Sequence, residues 1–255
     1  MIFEKSAVAV VSGGASGLGA ATVRKLTSMG ACVAIFDLNV TAGEALAQDL
    51  GGVFHCVDVA NPASVAMGFE AVVAAIGVPR IMINCAGIAP AMKTVSRGAP
   101  HDGATFEKTI QINLIGSFNC SSQAACLMVA SDPCGPDGAR GVIINTASVA
   151  AYDGQIGQVA YSASKGGIVG MTLPMARDLA DKGIRVCAVA PGIFATPMVQ
   201  GMPQEVQDAL GAQVPFPRRL GAASEYADLV GHIVDNQMLN GEVIRLDGAI
   251  RMAPR

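Results

Sequence analysis

The chain has 255 residues, of which 51% are hydrophobic and 15% charged, with 30 glycines and a formal net charge of −3. That composition excludes disorder and leaves enough apolar side chain to bury the core of one compact domain spanning residues 1–255. No basic run is available to bind nucleic acid or an anionic membrane, and no apolar segment runs uninterrupted for the roughly 18 residues of a membrane span, so the expected partner is a small molecule.

Residues 7–11 (AVAVV) form an apolar run too short for a helix. SGGASGLG at 12–19 follows at once and opens a helical pattern over residues 20–29. Gly13, Gly17 and Gly19 let the backbone turn tightly and approach a ligand, while the free N–H groups at the helix start attract a phosphate. The spacing is GxxxGxG rather than GxGxxG, and such a turn alone serves loop geometry as readily as binding. The next strand, residues 32–36, ends in Asp37, whose carboxylate can accept hydrogen bonds from both ribose hydroxyls of an adenosine and repel a 2′-phosphate. Neither Ser16 nor residues 38–40 supply a cation for such a phosphate, so the expected cofactor is NAD rather than NADP. The competing role for Asp37 is a cap on the helix expected over residues 41–50.

A third strand over residues 53–57 ends in Asp58 and Val59, which can bracket an adenine, and a helix starting at Pro62 runs to residue 76. Residues 80–83 form a fourth strand, followed by NCAG, where Cys85, Ala86 and Gly87 are small enough for a cofactor to lie against backbone. Strands alternating with helices predict a doubly wound parallel sheet. Residues 88–105 read as an irregular loop on the substrate side or at a subunit contact. A helix containing Asn113 follows and runs to about residue 128. Asn113 in such a helix is expected to hydrogen-bond to backbone.

After a polar loop at 131–140, residues 141–146 (GVIINT) read as a buried strand that delivers Ser148 to the ligand crevice. If the chain is helical from Gln158 onward, Tyr161 and Lys165 share one face a single turn apart. A phenol titrates near 10, and an adjacent ammonium favours its phenolate, which brings Tyr161 into range as an acid/base. Ser148 then orients a carbonyl. In isolation, a Tyr and a Lys four apart are more often an amphipathic pair. Pro191 and Gly192 end the strand at 185–189, with Thr196 just beyond, placing a turn at the nicotinamide end of a cofactor. Residues 192–220 read as a mobile helical lid. A helix over 225–234 and a last strand over 242–246 precede a short tail. The substrate pocket is expected from the 88–105 loop, Gln155, Gln158 and the segment after Thr196, with Met92, Ile193, Phe194 and Met198 apolar and Lys93, Arg97 and Arg218 available for phosphates.

Seven scattered cysteines without CxxC, and three histidines that make no ligand pair, predict reduced thiols and no metal. Residues 1–6 lead straight into the first strand and leave no room for a cleavable leader, which predicts a cytoplasmic protein, with the mitochondrial matrix as the alternative.

SGGASGLG at 12–19, Asp58–Val59, NCAG at 84–87, Asn113, Ser148, YSASK at 161–165 and PGIFAT at 191–196, in this order, resemble the short-chain dehydrogenase/reductase family. The resemblance implies an α/β fold, a single Rossmann-type doubly wound parallel sheet with helices on both faces. It implies NAD-dependent interconversion of a secondary alcohol and a ketone, with a 3-hydroxyacyl-CoA/3-oxoacyl-CoA pair as the first expectation and a homotetramer as the assembly. Tyr161 would be the acid/base, Lys165 its tuner and a ribose contact, Ser148 the holder of the substrate oxygen, and Asn113 the holder of a relay water. Ser16, Leu18, Asp37, Asp58, Val59, Cys85, Phe194 and Thr196 would contact NAD. The alternatives are a hydroxysteroid or other secondary-alcohol dehydrogenase, an NADPH-dependent 3-oxoacyl reductase, and a non-catalytic NAD-binding sensor.

Overall fold

A computed structural model describes residues 6–134 and 137–254. The expectations for residues 1–5, for residues 135 and 136 of the polar loop, and for the side chain of Met198 lie outside the described residues. Seven strands form one parallel sheet: β1 (Val8–Ser12), β2 (Cys32–Asp37), β3 (Val53–Cys56), β4 (Pro79–Asn84), β7 (Gly141–Thr146), β8 (Ile184–Pro191) and β9 (Val243–Leu246). Between β4 and β7, a two-stranded antiparallel hairpin pairs β5 (Val95–Ser96) with β6 (Ala99–Pro100). The helices are α1 (Gly17–Ser28), α2 (Val40–Leu50), α3 (Pro62–Ile76), α4 (Gly103–Ile110), α5 (Gly116–Val129), α6 (Val159–Asp178), α7 (Pro197–Gln200), α8 (Gln204–Ala212) and α9 (Ala223–Asp235).

The strands read as continuous apolar runs because the sheet is covered on both faces. In β1, Ala9 and Val11 join a core layer with Leu26 of α1 and Val230 and Ile233 of α9. Val8 and Val10, pointing the other way, pack with Phe69 of α3, Met128 of α5 and Met175 of α6. The strand order β3-β2-β1-β4-β7-β8-β9 reverses direction between β1 and β4. At that switch point the carboxyl ends of β1, β2, β4, β7 and β8 open a crevice on one edge of the sheet.

Three local differences from the sequence expectation have physical causes. Helix α1 starts at Gly17, earlier than residue 20, because Ser16 is already extended as its N-cap and the last glycines of the turn become the first helical turn. The 88–105 stretch is not irregular throughout. It contains the hairpin, and α4 starts inside it because the Asp102 carboxylate accepts from the N–H groups of Ala104 and Thr105 at 3.3 and 2.9 Å. The helix carrying Asn113 is interrupted by a π-helical segment, Gln111–Ile115, between α4 and α5. Such wide turns recur where a helix must aim a functional side chain.

Candidate active site

The crevice is a cavity of about 650 Å³. Its walls include Gly13, Ser16, Gly17, Leu18 and Gly19 from the β1–α1 turn, Asp37 from β2, and Asp58 and Val59 after β3. Cys85, Ala86 and Gly87 follow from β4, Ser148 from β7, Gln155, Gln158, Tyr161 and Lys165 from the approach to α6 and its start, and Pro191, Phe194 and Thr196 from β8 onward. Every catalytic and cofactor candidate named from sequence except Asn113 therefore faces one space.

At one end the chain is built for a dinucleotide. Gly13 has φ +64°, and a Cβ there would lie 2.6 Å from the Ala86 amide nitrogen, while a Cβ at Gly19 would overlap the Gly13 carbonyl. Both positions thus need glycine for the turn to fold against β4 and α1. The Ser16 side chain makes no capping hydrogen bond. The first N–H groups of α1 therefore stay available at the cavity wall, the arrangement that receives a pyrophosphate. Asp37 accepts from Ala15 N–H and Asn39 N–H, each at 3.0 Å and each on a different carboxylate oxygen. Those two bonds fix the carboxylate and leave lone pairs on both oxygens for a diol. The cap on α2 is Asn39, which accepts from Ala42 N–H at 3.1 Å, so the capping role does not fall to Asp37. These residues fit a nicotinamide dinucleotide.

At the other end stand Ser148, Tyr161 and Lys165. Ser148 follows β7 and caps a single helical turn, its Oγ accepting from Ala150 N–H at 3.1 Å. Tyr161 lies in the first turn of α6, where the positive end of the helix dipole favours a phenolate. Lys165, 4% exposed, places its Nζ 5.7 Å from the Tyr161 ring centre and donates to the Thr146 carbonyl at 2.6 Å. Burial acts here against the pull expected of Lys165 on the phenol. Burial pushes the Tyr161 phenol up, with the Ser148 hydroxyl acting in the opposite direction, and burial also brings the Lys165 ammonium down to about 8. Burial thus keeps Tyr161 a protonated acid at neutral pH.

Asn113 sits fully buried behind this site rather than in it. Its amide exchanges two 2.8 Å hydrogen bonds with the Ile88 backbone and donates to Ser164 Oγ at 3.0 Å. Ser164 Oγ in turn donates to the Tyr161 carbonyl at 2.7 Å. Asn113 thus ties the loop after β4 to Ser164 of α6, and its bonds to Ile88 are the backbone role set beside that of a relay-water holder. Sequence reasoning missed Ser164 and Thr146. Thr146, in its strand, looked like one more β-branched residue, yet its carbonyl holds Lys165, and its hydroxyl bonds to the Asn84 carbonyl and the Tyr226 hydroxyl at 2.5 and 2.7 Å.

The substrate wall also differs from expectation. Of the 88–105 loop only Ile88 and Ala89 reach the cavity, since Met92 turns toward residue 102, its sulfur accepting from Asp102 N–H. Ile193 and Phe194 line it, joined by Val199 and Leu210 of the 192–220 segment. Gln155 and Gln158 line it too, but Gln158 Oε1 accepts from Gln155 N–H and Gln155 Nε2 donates to the Ala253 carbonyl, both at 3.0 Å. Lys93, Arg97 and Arg218 are exposed and outside the cavity walls. Met252, from a tail to which no role was given, is inside them.

The sequence profile of the short chain dehydrogenases matches residues 7–207. The chain is 51% identical over 254 residues to a human 3-hydroxyacyl-CoA dehydrogenase type-2, covering 98% of this chain and 97% of that protein. It is 50% identical to the Drosophila melanogaster protein of the same name, over 98% of this chain and 99% of that one. The crystal structure of 3-hydroxyacyl-CoA dehydrogenase type-2 from Mycobacterium avium superposes with a TM-score of 0.93 at 41% identity, covering 99% of this chain and 98% of that one.

Proposed function

We propose, for a chain that belongs to the short chain dehydrogenase family and is an oxidoreductase acting on a secondary alcohol, that it is NAD-dependent and interconverts 3-hydroxyacyl-CoA and 3-oxoacyl-CoA. One observation carries the reading. A single cavity holds Asp37 at one end and Ser148, Tyr161 and Lys165 at the other. The type-2 names of the relatives point to the thioester, and the cavity residues Val149, Ala150, Ile193, Val199 and Leu210 carry no charge, which suits the acyl part. The same lining suits a ketosteroid, the second reading.

A nicotinamide dinucleotide held by the β1–α1 turn and Asp37 would supply the hydride chemistry. Tyr161 takes the hydroxyl proton in oxidation and gives it back in reduction, and Ser148 donates a hydrogen bond to the substrate oxygen. Lys165, held by the Thr146 carbonyl, supplies positive charge beside the phenolate as it forms. Asn113 keeps the loop after β4 and α6 in register, which holds the three groups at fixed distances. The seven free cysteines suit a reducing compartment such as the cytoplasm. Among the described residues no helix is long and apolar enough to cross a membrane. A homotetramer would cover the exposed Phe118 and Val129 of α5 and Leu173 of α6.

The test is absorbance at 340 nm with purified protein and acetoacetyl-CoA, run with NADH, with NADPH and with a ketosteroid. Turnover of the thioester is expected with NADH, with NADPH poorer by about 100-fold in kcat/KM, because a carboxylate facing a 2′-phosphate costs several kcal/mol. Asp37→Ser should bring the two coenzymes to within about tenfold of each other by weakening NADH and relieving NADPH. Equal use of both coenzymes by the wild-type protein would sink the role given to Asp37. Turnover of the steroid alone would discard the thioester.

A further inference from the structure

After β9 the chain does not leave the molecule. Asp247 accepts from Arg245 Nε at 2.8 Å, Arg251 Nη1 at 3.2 Å and Ala249 N–H at 3.0 Å, which turns the backbone back toward the cavity. Ile250 is 2% exposed and anchors that turn in the core. Beyond it, the Pro254 carbonyl accepts from Ile156 N–H and the Ala253 carbonyl from the Gln155 amide, each at 3.0 Å. Between those anchors, Met252 lines the cavity, next in sequence to Ala253, whose carbonyl Gln155 holds.

The segment the tail meets joins Ser148 to Tyr161 and is otherwise loop. Arg245 reaches it as well. Its Nη2 pairs with Asp153 at 2.7 Å and bonds to the Ile250 carbonyl at 3.0 Å, and its guanidinium lies 5.2 Å from the Tyr152 ring centre. Arg245 and Asp153 are each about one-fifth exposed. One cation thus ties the tail to the loop on the core side, and two backbone carbonyls tie it on the outer side.

We propose that residues 250–254 are a strap closing the substrate end of the cavity, and that Met252 is a specificity-determining residue that sets how bulky an acyl group fits next to the reacting carbonyl. Gln155 is then a positioning residue for the strap, its amide committed to Ala253 rather than to substrate. The choice of acyl groups rests on the function proposed above; the seating of the strap does not. Met252 is suited to the task, since an unbranched thioether fills an irregular apolar gap and yields to modest changes in the partner.

Two measurements test this. The first is kcat/KM for 3-oxoacyl thioesters of increasing bulk at the acyl group, in the wild-type protein, Met252→Ala and Met252→Phe, with NADH affinity measured alongside. The ratio of the bulkiest thioester to acetoacetyl-CoA should rise roughly tenfold in Met252→Ala and fall by a similar factor in Met252→Phe, the scale set by adding or removing a few buried carbons. NADH affinity should stay within twofold. Ratios unchanged in both variants would overturn the assignment of Met252. If the wild-type protein reduces no thioester, the substrate reading fails, and the strap is judged by the second measurement alone. That measurement is hydrogen exchange at the Ile156 amide in the full chain and in a chain ending at Met252. Loss of the Pro254 carbonyl should speed exchange by at least tenfold without unfolding the protein, and an unchanged rate would overturn the strap.

Discussion

Replacing Tyr161 with Phe lowers kcat for ketone reduction by about a thousandfold, the scale of a lost general acid, and leaves NADH affinity within twofold. The phenyl ring keeps the size and shape of the phenol without its hydroxyl, so the loss is chemical. The same residue sets the pH profile. Burial holds the phenol above its ordinary value, so the protonated form needed for reduction persists through neutral pH, while oxidation of the alcohol, which needs the phenolate, rises as the solution becomes more alkaline. Steady-state rates in both directions against pH, for the wild-type protein and Tyr161→Phe, check both statements. A variant retaining more than about a tenth of the activity would place the acid/base elsewhere. So would a wild-type oxidation rate that falls with pH.

Much of this site is legible in the sequence for a geometric reason. A parallel strand buried on both faces is a continuous apolar run, and such runs end where the sheet ends, so the first polar or glycine residues after them must sit at the crevice. Gly13 and Asp37 follow from that rule, Cys85 and Ser148 lie one and two residues past the polar ends of β4 and β7, Asp58 lies just past the half-buried β3, and all line the cavity. Tyr161 and Lys165 follow from helical spacing. What does not follow is anything set by tertiary contact. The upward shift of Tyr161 depends on burial under segments far away in sequence, whereas spacing showed only a cation one turn away. The Lys165–Thr146 bond spans 19 residues and involves a carbonyl, which every residue has. Asn113 was noticed, but a widened helical turn leaves no mark in a hydrophobic pattern, so its aim at Ile88 and Ser164 was out of reach. Ala253 and Gln155 meet across 98 positions through a short tail of mixed composition, so no local signal announces the contact.

Lys165→Met should abolish turnover and, at pH 7, leave the protein no less stable than the wild type. In the unfolded chain a lysine releases its proton near 10.5, whereas in the fold burial brings Lys165 down to about 8, an effect that the nearby Cys85 only partly opposes. The folded-state value is the lower one, so between about pH 8 and 10.5 the unfolded chain holds a proton that the folded chain has released. Stability from this group therefore rises with pH across that window, and below it the buried ammonium costs on the order of 3 kcal/mol. Replacement by Met removes that cost and also strips the Thr146 carbonyl of its donor, a loss of about 1–3 kcal/mol, so the two changes nearly offset at neutral pH. The decisive quantity is the pH dependence of the difference. Urea unfolding at pH 7 and pH 10 should show the wild-type protein gaining about 2 kcal/mol on the variant, and a constant gap would mean that Lys165 keeps an ordinary affinity for its proton in the fold. Turnover explains why a residue with so little to offer stability belongs at this position. A lysine held here, part-way to neutrality and one turn from the phenol, can respond to the phenolate as it forms, which an apolar side chain of the same volume cannot do.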